Sequence, residues 1–209
     1  MKLTTIFCLV IFCCAVPLAA QEPPTINPFG QRADEQLEEA RPGYMELSDG
    51  EIIYGMIYLT RDHRLKIYDP TLKRQREIPL TPVKEIEMKV EKEWNQKEWR
   101  FKELANDEKY FTGRTYPVRE YVCTLTLKDD RKITGPLSGL VYIKQGDPDA
   151  QAEDVCRREI EPRRFLLNKR QKGEIGAELE SLVYVKRIKL GEGMIEEGKR
   201  SARQGKRQK

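Results

Sequence analysis

The stretch Met45-Glu-Leu-Ser-Asp-Gly-Glu-Ile-Ile-Tyr-Gly-Met-Ile-Tyr-Leu59 decides the fold class. Apolar residues at Met45, Leu47, Ile53, Ile57 and Leu59 fall on alternate positions either side of Asp49-Gly50. A period of two lines up side chains on one face of a strand, whereas a helix would need 3.6. Asp-Gly tolerates the positive φ that reverses a chain tightly, so the stretch predicts a β-hairpin with a type I′ turn. A third strand is predicted at Leu65, Ile67 and Tyr68, stopped by Asp69-Pro70. A fourth follows at Ile86, Met88 and Val90, after the breaks at Pro79 and Pro82.

The same pattern returns eighty residues on. Leu125, Leu127, Asp129, Ile133 and Gly135 repeat the spacing of Met45, Leu47, Asp49, Ile53 and Gly55, with Asp130 in place of Gly50. Phe165–Leu167 resembles the third strand, and Val183, Val185, Ile188 and Leu190 resemble the Ile86 block. The expectation is an internal duplication of one small β unit. The first copy spans 43–92; the second spans 120–192 and carries a polar insertion at 145–162.

Outward from these units the chain changes character. Residues 1–20 have Lys2 as their single charge, an apolar run from Ile6 to Val16, and small residues up to Ala20. That is the layout of a secretory leader, with cleavage expected after Ala20. The apolar run is shorter than the roughly 20 residues a membrane span requires. The expected mature protein is therefore exported, to the periplasm or beyond, without a membrane span. Residues 21–42 hold Pro23, Pro24 and Pro28 and few apolar residues, which suits a flexible linker. Three of the five cysteines leave with the leader. Cys123 and Cys156 remain as a candidate disulfide in an oxidising compartment, the alternative being two unrelated buried thiols.

The full chain carries a net charge of +4. Gly198–Lys209 contains Lys199, Arg200, Arg203, Lys206, Arg207 and Lys209 and no acid, so residues 21–197 are net negative. The segment 193–209 is expected to be a disordered basic tail that contacts a polyanion, such as an acidic polysaccharide, or simply solubilises the chain. Between the two units, 93–119 is rich in Trp, Tyr and Phe. Trp99 and Phe101 alternate as in a strand, while the abundant Glu and Lys would also suit a helix; the extended ribbon is favoured.

The form hydrophobic-x-Asp-Gly-x-x-hydrophobic-x-Gly over Leu47–Gly55 resembles the opening motif of Sm-like, SH3-type small β-barrels, and Tyr121–Leu190 resembles it more loosely. Glu98-Trp99-Arg100-Phe101-Lys102-Glu103 is also similar to a segment of uncharacterised exported bacterial proteins of the planctomycete kind, a likeness that carries no function. The resemblance implies a mostly β fold of two tandem small barrels joined by the ribbon. In the Sm family an Asp and an Asn hold a nucleotide base. Asp62 matches the first, but Lys66 stands where the Asn belongs, and the hydrophobic-Arg-Gly motif has no counterpart near Leu80–Ile86. Nucleic-acid binding is not carried over.

Catalytic patterns are thin. His63 is the single histidine and sits among Arg61, Asp62 and Arg64, without partners at metal-ligand or triad spacing. The acids Glu98, Glu103, Asp107 and Glu108 beside aromatic rings are the one layout that fits a carboxylate hydrolase acting on carbohydrate, yet Lys and Arg alternate with them as in a solvated ion-pair surface. Gly173, Gly176, Gly191 and Gly193 lack the Lys-Ser or Lys-Thr of a phosphate loop. The expectation is a non-catalytic interaction or structural module of a cell envelope, without cofactor or metal. Its contacts are expected to come from Trp94, Trp99 and Tyr110, with an envelope protein or acidic polysaccharide as partner.

Overall fold

The computed structural model describes residues 39–60, 63–103, 107–146 and 161–205. The leader, the linker up to residue 38, most of the 145–162 insertion and Cys156 lie outside the described residues. The protein is mostly β. Its strands are β1 (Arg41–Leu47), β2 (Ile52–Leu59), β3 (Leu65–Asp69), β4 (Arg74–Ile78), β5 (Val83–Phe101), β6 (Lys109–Leu127), β7 (Lys132–Gly135), β8 (Leu137–Gln145), β9 (Arg163–Asn168), β10 (Arg170–Lys172) and β11 (Val185–Leu190). Among the described residues there is one α-helix, α1 (Met194–Gly205).

All pairings are antiparallel, in the order β10-β6-β5-β11-β1-β2-β8-β3-β4, and the sheet is open at its outer strands β4 and β10. β7 and β8 are separated by Pro136 alone, and this bent run pairs with β6 at one end and with β2, β3 and β9 at the other. The bend needs Gly135, because a Cβ there would collide with the backbone oxygen of Tyr68.

The predicted hairpin forms, with a different turn. The Leu47 N–H donates to the Glu51 carbonyl, the Gly50 N–H donates to the Leu47 carbonyl, and φ is positive at Gly50 (85°). This is a three-residue loop in which a tight turn is followed by one left-handed residue, in place of the two-residue type I′ turn. The Asp49 carboxylate accepts the Glu51 N–H at 2.9 Å, which anchors the corner locally. The β6–β7 turn is built identically: Leu127 to Arg131, Asp130 to Leu127, and Asp129 accepting from Arg131. Asp130 takes the left-handed position itself (φ 60°), which Asp tolerates better than most side chains.

The likeness of the two halves extends to register. Gly43 pairs with Gly55 and Met45 with Ile53, as Cys123 pairs with Gly135 and Leu125 with Ile133. Across the closing strands, β11 meets β1 as Val185–Leu47, Arg187–Glu46, Ile188–Met45 and Leu190–Gly43. β5 meets β6 as Val83–Leu127, Glu85–Thr126, Ile86–Leu125 and Met88–Cys123, with the bulge in the corresponding place.

The strands of both halves belong to one open antiparallel sheet. Each closing strand crosses over: β5 pairs with β6 and β11, and β11 returns to β1. One continuous core results, in which Met45, Ile53 and Ile57 share a cluster with Leu125, Ile133, Ile143 and Ile188. The third strand and the Ile86 block fall in β3 and β5 as expected. β4 went unread because Arg74-Gln-Arg-Glu-Ile78 is polar on both faces except Ile78, the composition of a protected edge strand. Within 93–119, residues 93–101 and 109–119 are extended, as the outer parts of β5 and β6.

The segment expected to be a disordered basic tail is folded as α1 from Met194 to Gly205 and packs on β1 and β2. Its inward face carries Ile195 and Gly198, both buried, so a narrow apolar stripe lies beneath the cations. Gly198 permits the contact: a Cβ there would stand 2.6 Å from the Tyr44 Cβ and 3.1 Å from that of Tyr54. The Glu197 carboxylate accepts from the Tyr44 hydroxyl at 2.9 Å and from Lys189 Nζ at 2.9 Å. Gly to Ala in an open helix stabilises by about 0.5–1 kcal/mol. Gly198→Ala should instead destabilise, by about 1–3 kcal/mol through overpacking, as a lower urea midpoint and faster proteolysis of the C-terminal segment.

Among the described residues Cys123 is a free, buried thiol on the core side of β6, opposite Met88 and Gly135 in register, and its candidate partner Cys156 lies outside them. Strand alternation aims its side chain into the core, where it is 1% exposed. Burial, with a smaller contribution from Glu87, pushes the thiol pKa up to about 12. A thiol reagent at pH 8 should leave Cys123 unmodified in the native protein and modify it on unfolding, as read by intact and peptide mass spectrometry; rapid native labelling at Cys123 would contradict the burial.

Candidate functional site

β5 and β6 outrun the rest of the sheet. From about Lys92 to Phe101 and from Lys109 to Arg114 they pair as strands only with each other, forming a two-stranded arm. Trp99 stands opposite Phe111 and Phe101 opposite Lys109, which places these four side chains on one face. The rings are open to solvent: Trp99 is 38% exposed, Phe101 48% and Phe111 66%. Trp99 and Phe101 meet edge to face with centroids 5.2 Å apart, and Lys109 Nζ lies 4.3 Å above the Trp99 ring. An exposed aromatic cluster of this kind is more than the scattered apolar residues normal on a protein surface.

The opposite face is polar and tied. The buried Glu98 carboxylate accepts from Thr112 Oγ1 at 2.6 Å, Arg114 Nε at 2.9 Å and Arg100 Nε at 3.1 Å. The Thr112 hydrogen bond, supported against desolvation by those from Arg100 and Arg114, holds the Glu98 carboxyl below its ordinary range. Arg100 reaches Glu98 along β5, while Thr112 and Arg114 reach it across from β6, so this carboxylate fixes the register on which the aromatic face depends. Such a carboxylate is a poor proton donor near neutrality, the reverse of what the acid of a hydrolase needs. Glu108 is engaged by Lys102 at 2.8 Å.

Of the three rings expected to meet a partner, Trp99 and Tyr110 (43% exposed) lie on the arm. Trp94 is half-buried at its base, with the Arg170 guanidinium 5.0 Å from its ring, and serves the seam with β10. Phe101 and Phe111 complete the aromatic face. Alternation pointed to Phe101, but Phe111 is revealed only by cross-strand register.

The basic residues are divided. Lys199 binds Glu196 at 2.7 Å, Arg200 donates to the Glu196 carbonyl at 3.4 Å, and Arg203 rims a shallow hollow with Tyr54 and Gln145. Lys206, Arg207 and Lys209 lie outside the described residues. A second hollow, of about 300 Å³, opens between β9–β10 and the chain entering β11, over Tyr121, Phe165 and Tyr184. Among the described residues no group of three His, Cys, Asp or Glu side chains is placed to hold a metal ion, and no helix is long and apolar enough to cross a membrane. No protein-family model, curated protein or solved structure matches the chain.

Folded-state depression of the Glu98 pKa means its stabilisation is fully present above the ordinary carboxylate range, near pH 4, and is lost as pH falls through the depressed value. In a Trp94→Phe background, the emission of Trp99 should therefore shift at acid pH before global unfolding. Glu98→Gln should abolish that separate acid step, and an unchanged step in the variant would assign it to another group.

Proposed function

We propose that this protein is an exported, non-catalytic interaction module of a bacterial cell envelope, and that the β5–β6 arm is its contact element. The observation that carries the reading is the solvent-open Trp99–Phe101–Phe111 face on a ribbon held in register by Glu98. Aromatic side chains supply large contact area with little rotamer entropy to lose, which is why they dominate interface energetics. An arm with two unpaired edges also offers backbone donors and acceptors to an extended partner segment. The leader pattern of residues 1–20 supports export.

The arrangement of strands fits two copies of an SH3-like or Sm-like β unit that have exchanged their closing strands. Matching registers, matching turns and the paired contacts Ser48 N–H to Tyr184 carbonyl and Lys128 N–H to Pro82 carbonyl support that reading. The cationic face of α1 is a secondary contact for acidic polysaccharide.

The test is capture from envelope fractions by the mature chain beginning at Gln21, compared with Trp99→Ser/Phe111→Ser. The expected result is recovery of a defined partner by the native arm and loss of at least about 2 kcal/mol of binding, or about thirtyfold in Kd, in the variant. Equal recovery by both proteins would remove the arm as the contact element.

A further inference from the structure

We propose that the hollow between β9–β10 and Val183–Val185 is a binding site for a small organic anion. Its apolar part would rest on Phe165, Tyr184 and Val185, and its carboxylate, phosphate or sulfonate would be held by Arg164, Arg170 and Lys172. The volume, about 300 Å³, lies at the small end of ligand sites. Three cations line the hollow and no Asp or Glu does. This reverses the sign of a body whose net charge, before the basic C-terminal residues, is negative.

The ion-pairing pattern singles these cations out. Arg76, Arg114, Arg119, Arg163 and Arg187 each meet a carboxylate within 4.0 Å. Arg164, Arg170 and Lys172 meet none among the described residues. Their contacts are neutral: Arg170 donates to Gln96 Oε1 at 2.6 Å and lies over Trp94, and Lys172 lies over Tyr116 at 6.0 Å. Such contacts orient a cationic head without neutralising it, and a lining that carries positive charge with no carboxylate favours an anion.

The floor is uncharged as well. The buried Tyr121 hydroxyl donates to Gln171 Oε1 at 2.6 Å, and Gln171 Nε2 in turn donates to the Val183 carbonyl at 3.1 Å. Desolvation pushes the Tyr121 pKa up to about 12, so no phenolate forms beneath the site at neutral pH. The floor's polar groups are thus satisfied internally, and the unanswered charge lies at the rim. This combination of an apolar seat and cationic rim selects an amphiphilic anion over a bare inorganic one.

The probe is 8-anilinonaphthalene-1-sulfonate, titrated into the folded mature chain and competed with phenyl phosphate. Saturable binding of one dye per chain is expected, displaced by phenyl phosphate and weakened by salt. Arg164→Gln/Arg170→Gln/Lys172→Gln should weaken it about tenfold or more, as loss of charge-assisted hydrogen bonds implies. Lys73→Gln/Arg74→Gln, at the far edge strand, and Trp99→Ser/Phe111→Ser, on the arm, should bind as the native chain does. All five substituted rim and control cations are on exposed positions; if the triple variant fails to give the native near-ultraviolet dichroism, Arg164→Glu alone serves and should also weaken binding. Absence of saturable binding, native-like affinity in the rim variants, loss of the signal in the arm variant, or equal affinity for neutral Nile red would each overturn the proposal.

Discussion

The whole sheet depends on where β11 is inserted. This strand lies between β1 and β5, hydrogen-bonded to both, and it carries Ile188, fully buried, to the centre of the core. Arg187 on its other face reaches Glu46 on β1 and Glu85 and Glu87 on β5, at 3.8, 3.2 and 3.6 Å. The latest strand in sequence therefore joins the earliest hairpin to the middle of the chain. Ordering so long a loop carries an entropic cost that only a shared core offsets, so the two halves are expected to fold as one unit.

That insertion also determines what projects. With β11 occupying one edge of β5, and β6 the other, both long strands are fully paired near the core and run past it together. Beyond Val90 no strand other than β6 pairs with β5 among the described residues, and the excess length becomes the arm. The same placement brings Val183–Val185 beside β9–β10 and so forms the cationic hollow. Arm and hollow both follow from the placement of β11, and they meet at a common seam where Arg170 covers Trp94 and reaches Gln96.

The C-terminal helix shows how little apolar surface is needed when geometry is right. Three of the six cations in the last twelve residues, Lys199, Arg200 and Arg203, lie in the helix, yet Ile195 and Gly198 at a spacing of three give it one face to bury. Glu197, on the same side, accepts from Tyr44 and Lys189 and converts part of the charge into attachment. Composition read over the whole segment averaged this face away. A glycine, moreover, gives no hydrophobic signal: its contribution is the close approach of Tyr44 and Tyr54 that a side chain would prevent.

The amino-acid sequence alone determined what depends on neighbours along the chain. Alternation at Met45–Leu59 and Leu125–Gly135 set strands and faces, and Asp49-Gly50 and Asp129-Asp130 set the reversals, because these follow from local φ preferences and a period of two. It also showed the spacing that the two halves share and the aromatic richness of the arm. Tertiary structure alone decided which strand pairs with which: an exposed strand edge accepts any partner of suitable pattern, and β11 is as compatible with β6 as with β1 by alternation alone. The exposure of Phe111, the burial of Glu98 and the place of Arg164, Arg170 and Lys172 in the lining of one hollow follow from that choice of partner, since each is set by residues distant in sequence that only pairing brings together.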